Sequence, residues 1–235
     1  MRPDRRYKSS IPSSASERVV ERYKDGAKEL AEYFVDEQLV GSRFWDNDGC
    51  LSLERPFKDG WTHGIEYRWY FDGVLTSALP YVNGKPHGVA KQWSDSGKLV
   101  GSYKMVHGTG IDLFWNELGG IRTAPHCLSE VHYVRDGQWH GYTWWLDQDQ
   151  ASVTVERHYV QGDLHGIVRE WNDHDRLRRG FPQYFVKGKR IDKRQYLRAA
   201  AADPSLPRFR SEENSPSRTF PEEICKHLLT QRNGA

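Results

Sequence analysis

An aromatic residue followed by glycine seven positions later recurs along this chain, at Phe57 and Gly64, Tyr81 and Gly88, Tyr103 and Gly110, and Tyr159 and Gly166, with an eight-residue version at Tyr133 and Gly141. A period repeated this often limits the chain to an architecture of stacked, similar units. An earlier glycine follows the ring at Gly60, Gly84, Gly137 and Gly162, and Gly188 belongs to a last copy in which Asp192 replaces the closing glycine. His63, His87, His140 and His165 each precede a closing glycine. Four or five residues further on stand Trp69, Trp93, Trp115, Trp145 and Trp171, with Trp45 ahead of them and Tyr196 behind, 22 to 30 residues apart.

A turn tetrad follows each Trp: 46 to 49, 70 to 73, 94 to 97, 116 to 119, 146 to 149 and 172 to 175. One unit therefore reads as a β-hairpin. In the unit around Trp93, Val89, Lys91 and Trp93 alternate on one strand, and Leu99, Gly101 and Tyr103 alternate on the next. Ser94 to Gly97 makes the turn between them, because Gly accepts positive φ and Asp or Ser bonds back to the backbone. A single hairpin buries too little to be stable, so neighbours must pair edge to edge. The expectation is an all-β chain: an elongated single-layer antiparallel sheet of tandem hairpin repeats, with short C-terminal helices.

The pattern Tyr-x-x-Gly-x-x-x-Gly, then an aromatic, then a turn glycine, resembles the MORN repeat, above all the bacterial variant of antitoxin or immunity-like proteins. The best matching segments are Phe57 to Trp69, Tyr81 to Trp93 and Tyr159 to Trp171, and the resemblance extends from Val19 to Tyr196. It implies a non-enzymatic, protein-binding repeat module that could neutralise a toxin encoded nearby. The family also implies an alternative, association with phospholipid at a membrane surface; a further one is service as a scaffold or accessory subunit of a larger bacterial complex, tethered by the Arg-rich arm or the tail helix. Two departures are plain, an insertion over 116–132 and Asp192 in the last copy.

The ends differ in kind. Residues 1–16 hold Ser, Pro and Arg with little to bury and read as a disordered arm. The repeat domain spans 17–196, with Tyr23 to Gly26 as a turn that favours strands over a helix at its start. Residues 197–202 read as a helical cap over the last hairpin edge, and 203–218 as a Pro, Ser and charge-rich linker. A helix over 219–232, opened by Thr219 to Glu222 as a capping box, carries Phe220, Ile224 and Leu228 on one face, with Leu229 beside them. That face either docks on the sheet or binds a partner.

No group of residues makes a case for catalysis. The recurring histidines occupy one repeat position, which assigns them to turns. His126, Cys127 and His132 in the insertion lack further ligands at metal spacing. Asp147 with Asp149 and Asp173 with Asp175 are turn carboxylates, and Gly108-Thr-Gly110 lacks the Lys-Ser/Thr of a phosphate loop. We therefore expect no catalytic, cofactor or metal site. Lys and Arg (34) nearly cancel Asp and Glu (32), so nucleic acid is not an expected partner, although Lys187 to Arg190 with Lys193 and Arg194 is a local basic cluster that could meet anionic headgroups.

The candidate partner-binding residues are the ladder Trp45, Trp69, Trp93, Trp115, Trp145 and Trp171 together with Phe220, Ile224 and Leu228. Equivalent repeat positions should share a face, and exposed aromatic rings suit protein capture. The three distant cysteines, the polar N-terminus and the lack of a long apolar run point to a cytoplasmic protein.

Overall fold

The computed structural model describes residues 6–118 and 124–228. Parts of three expected features lie outside them: residues 1–5 of the arm, 119–123 of the insertion and 229–232 of the tail. Among the described residues the chain is mostly β, with eighteen strands in antiparallel pairing and two short α-helices near the C-terminal end. It divides into two compact units, Met1–Gly108 and Thr109–Ala235.

In the first unit the strands Ser16–Arg22, Lys28–Val35, Gln38–Trp45, Leu51–Lys58, Gly64–Trp69, Leu75–Val82, Gly88–Trp93 and Leu99–Val106 pair in chain order, each with the next. Two kinds of turn alternate. After each Trp a tetrad closes on itself: Gly49 donates to Asp46 O at 3.0 Å and Asp46 donates to Cys50 O at 2.9 Å. Between units a tight turn puts two residues at positive φ, such as Asn83 (49°) and Gly84 (78°).

The N-terminal segment is not a free arm. Ile11 is buried with Ala31 and Tyr33, and Tyr7 packs edge-on against Tyr67 and Trp69 at 5.0 and 5.1 Å. Gly41 supplies the seat, since a Cβ there would lie 2.4 Å from the Ile11 side chain. A sparse apolar content concealed this, because two side chains suffice when the sheet offers them a fitted recess.

In the second unit Thr109–Glu117, His126–Arg135, Gln138–Leu146, Val153–Val160, Gly166–Glu170, Gln183–Val186 and Lys189–Ile191 pair in the same way. The insertion largely lengthens two strands: Asn116 pairs with Cys127 and Glu117 with His126. The last hairpin ends at Ile191, and helix Lys193–Ala202 begins four residues earlier than the expected cap. Asp192, in the place of the closing glycine, accepts from Gln195 N while the Gln195 side chain accepts from Asp192 N. Tyr196 is therefore helical, buried against Tyr184 at 5.1 Å.

The tail runs back over the same unit. Among its described residues only Glu222–Cys225 is α-helical; Pro221 is its N-cap with no side-chain hydrogen bond, so the capping box expected at Thr219 does not form. Phe220, Ile224 and Leu228 are buried. No helix among the described residues is long and apolar enough to cross a membrane.

Candidate functional site

The ladder rests on a bulge that recurs from hairpin to hairpin, though not in the last, whose strands Gln183–Val186 and Lys189–Ile191 pair regularly. Trp45 pairs with Leu51, Trp69 with Leu75, Trp93 with Leu99 and Trp115 with Leu128, and one extra residue follows each of these leucines. In four units that residue is Ser or Thr, whose hydroxyl donates across the bulge: Ser52 to Phe44 O (3.0 Å), Thr76 to Arg68 O (3.0 Å), Ser129 to Phe114 O (3.1 Å) and Thr154 to Trp145 O (3.3 Å). The bulge absorbs the unmatched residue, and the hydroxyl satisfies the carbonyl beside it. The Leu-Ser and Leu-Thr pairs after the turns were its sequence signal.

That register removes Trp145 from the ladder. In its unit Leu146 pairs with Val153 where the other units pair Trp with Leu, and the tetrad runs from Asp147 to Gln150, one residue later than the spacing predicts. Val134, not Tyr133, pairs across the tight turn where Phe57 and Tyr81 stand in their hairpins, and it lies seven residues before Gly141, so Tyr133 and Trp145 each fall one position ahead of the repeat, on the opposite face. Trp93, Trp115 and Trp171 are buried, and Trp45 and Trp69 are half-buried. Trp171 Nε1 donates to Asn214 O at 2.8 Å, and Trp115 meets the His227 ring at 5.6 Å. Phe220 stands edge-on to Trp144 at 5.6 Å. The tail and the buried tryptophans of the second unit thus cover one another.

Each covered face holds a buried glutamate. Glu54 accepts from Arg43 Nε at 2.8 Å and from the Tyr7 hydroxyl. Burial, then the bond to Glu54, pushes the Tyr7 phenol up to about 12. Glu156 accepts from Trp144 Nε1 (2.9 Å), Arg169 (2.6 Å) and Arg218 Nε (2.7 Å). Burial raises its pKa, but the hydrogen bond and charge of Arg218 and the charge of Arg169 outweigh it and hold the carboxyl below its ordinary value.

The opposite face of the second unit carries the exposed aromatic cluster. Trp145, displaced there, meets His132 edge-on at 5.4 Å with the Arg157 guanidinium 5.1 Å from its ring. Trp139 stacks on the same imidazole at 5.3 Å and 8°, Phe114 stands edge-on to it at 5.8 Å, and Trp139 meets Tyr159 at 5.0 Å. Phe114 is 43% exposed and Trp139 39%, while His132 between them is 4% exposed. Glu130 lies 2.9 Å from His132 Nε2. His132 Nδ1 and the cross-strand Thr143 hydroxyl are buried and have no hydrogen-bond partner among the described residues. Phe114, His132 and Trp139 were not among the predicted residues; only the shifted Trp145 was.

The other candidates fall into structural roles. His63, His87 and His165 each offer Nδ1 to the backbone N–H of the next tight turn, at Asn83 (3.5 Å), His107 (3.1 Å) and Lys187 (3.0 Å). The repeated histidine therefore ties one hairpin to its successor. Asp149 accepts from Ala151 and Ser152 within its turn. Cys127 donates to Asn116 O, and burial pushes its thiol up, away from the thiolate that chemistry would need. Among the described residues no group of three or more His, Cys, Asp or Glu is placed to hold a metal ion.

A scan against protein-family models finds no match. Searches of curated proteins and of solved structures find none either.

Proposed function

We propose that this chain is a non-enzymatic, protein-binding repeat module of the MORN type, and that neutralising a toxin is the activity it serves. The cluster of Phe114, Trp139 and Trp145 around His132 carries this reading. Two of its rings are about two-fifths exposed on a face that the tail does not cover, and buried polar atoms lie unmatched beneath them. Rigid aromatic anchors with a few polar groups are what protein interfaces use at their centres.

The test is a pull-down with the tagged chain from its host at moderate salt, run beside the Phe114→Ala/Trp139→Ala variant. The expected result is one stoichiometric partner that the variant loses while its thermal unfolding is nearly unchanged. A partner held equally by both proteins, or recovery only with membranes, overturns the reading. Co-expression with the captured partner then shows whether binding relieves toxicity.

A further inference from the structure

Residues 187–210 contain eight Lys or Arg residues against two carboxylates, Asp192 and Asp203, although the whole chain is only +2. All eight cations are exposed, and among the described residues none of them enters an ion pair. Both carboxylates are occupied. Asp192 caps the helix through Gln195 N at 2.8 Å. Asp203 accepts from the Ser205 N–H and hydroxyl at 2.9 and 2.6 Å and faces His165 Nε2 at 3.3 Å. The strip therefore presents uncompensated positive charge.

It also has a recess. Leu197, Ala200 and Ala201, spaced as i, i+3 and i+4 on helix Lys193–Ala202, line a hollow with Phe209 and Arg208. Leu197 is 45% exposed, with Arg194 one turn before it and Arg198 beside it. The Lys193 ammonium lies 3.8 Å from the centre of the Phe209 ring.

We propose that this surface docks an acidic segment of a partner protein that carries one apolar anchor side chain. The anchor enters the hollow between Leu197 and Phe209, and carboxylates on either side of it meet Arg194, Arg198 and Arg208. Charge complementarity selects an acidic partner. Two other anionic partners fit less well. A membrane surface calls for a broad apolar face laid into the lipid, whereas most of the apolar groups here line a recess. Single-stranded nucleic acid needs open aromatic faces for base stacking, and Lys193 already covers that of Phe209. The proposal shares with the preceding reading only that the partner is a protein; its residues are different, so either surface can fail alone.

Selection of random displayed peptides on the immobilised full chain tests it. The expected result is enrichment of Asp- and Glu-rich peptides with a single Leu, Ile, Phe or Met. Their affinity in solution, read by fluorescence anisotropy, should fall about tenfold or more in Arg194→Glu/Arg198→Glu and also when the peptide's apolar residue becomes Ala. It should weaken as salt rises from ~0.1 to ~0.5 M, where screening shortens to a few ångströms, and it should be unchanged in Phe114→Ala/Trp139→Ala. Arg208→Glu, in the loop rather than the helix, should weaken it independently. Enrichment without acidic residues, no enrichment, or equal binding by the arginine variants overturns the proposal. So does the finding that only phosphatidylserine vesicles or a single-stranded oligonucleotide bind in a manner lost with those arginines.

Discussion

Glu54 in the first unit and Glu156 in the second occupy the same place in their hairpins. Glu54 pairs with Arg43 on one side and Tyr67 on the other; Glu156 pairs with Trp144 and Arg169. Each receives a hydrogen bond from a terminal segment of its own unit, yet the two clamps are built differently. In the first, the cation comes from the sheet and the terminal segment adds only the neutral Tyr7 hydroxyl; the Arg43 side chain stays 25% exposed. In the second, the sheet and the tail each supply a cation, and Arg169 is 1% exposed with Glu213 on its other side. The same buried carboxylate is thus held at a half-open clamp in one unit and a sealed one in the other. An ion buried without water depends wholly on its partner, whereas a half-exposed one can turn outward and hydrate.

Removing each carboxylate should separate the two clamps most. Glu156→Ala should cost about 3–5 kcal/mol in urea unfolding, because the buried Arg169 keeps only Glu213 and Arg218 loses its carboxylate. Glu54→Ala should cost about 1–3 kcal/mol, since Arg43 can reach solvent. Equal losses would mean that the exposure of the cation does not matter. Removing only the terminal partner is milder. Tyr7→Phe should cost about 1 kcal/mol, the size of one hydrogen bond, and should make residues 6–15 more accessible to protease.

Acid sharpens the contrast. A carboxyl whose folded pKa is lowered contributes stability above its unfolded value and loses it as pH falls through the folded one, and Glu156 is such a group. His158 is held below its ordinary value by burial, against the hydrogen bond to His165 O, so its neutral form also favours the fold above about pH 6.5 and loses that advantage below it. Fluorescence-monitored unfolding should therefore show stability declining from about pH 6.5 and again in the carboxyl range, and Glu156→Ala should shrink the lower step, to which Glu17, Asp149 and Asp203, also held below their ordinary values, contribute as well. Smallest of all, Trp139→Ala should change stability by less than about 1 kcal/mol, in contrast to about 3–5 kcal/mol for Trp115→Ala in calorimetric unfolding.

The hairpins were readable in the chain to within a few residues, as were the turn role of the histidines and the tryptophan period. The site was less so. Periodicity put Trp145 in the ladder because it counts rings, and it could not see that Tyr133 and Trp145 each stand one position early, with Val134 and Leu146 in the repeat's places. Phe114 and Trp139 passed unnoticed because neither stands at the ring positions that define the period. The ends misled for a related reason: composition suggested an arm and a linker, but Ile11 and Leu206 are both buried.

What the chain alone determined is local. Glycines at positive φ and Asp, Asn or Ser in the tetrads dictate the turns within a few residues of themselves, and six such turns dictate a hairpin array. Which face of each unit stays open is decided only by tertiary structure. Tyr7 reaches Glu54 across 47 residues and Arg218 reaches Glu156 across 62. Contacts at such separations form where burial and charge compensation favour them, and no local propensity encodes that balance.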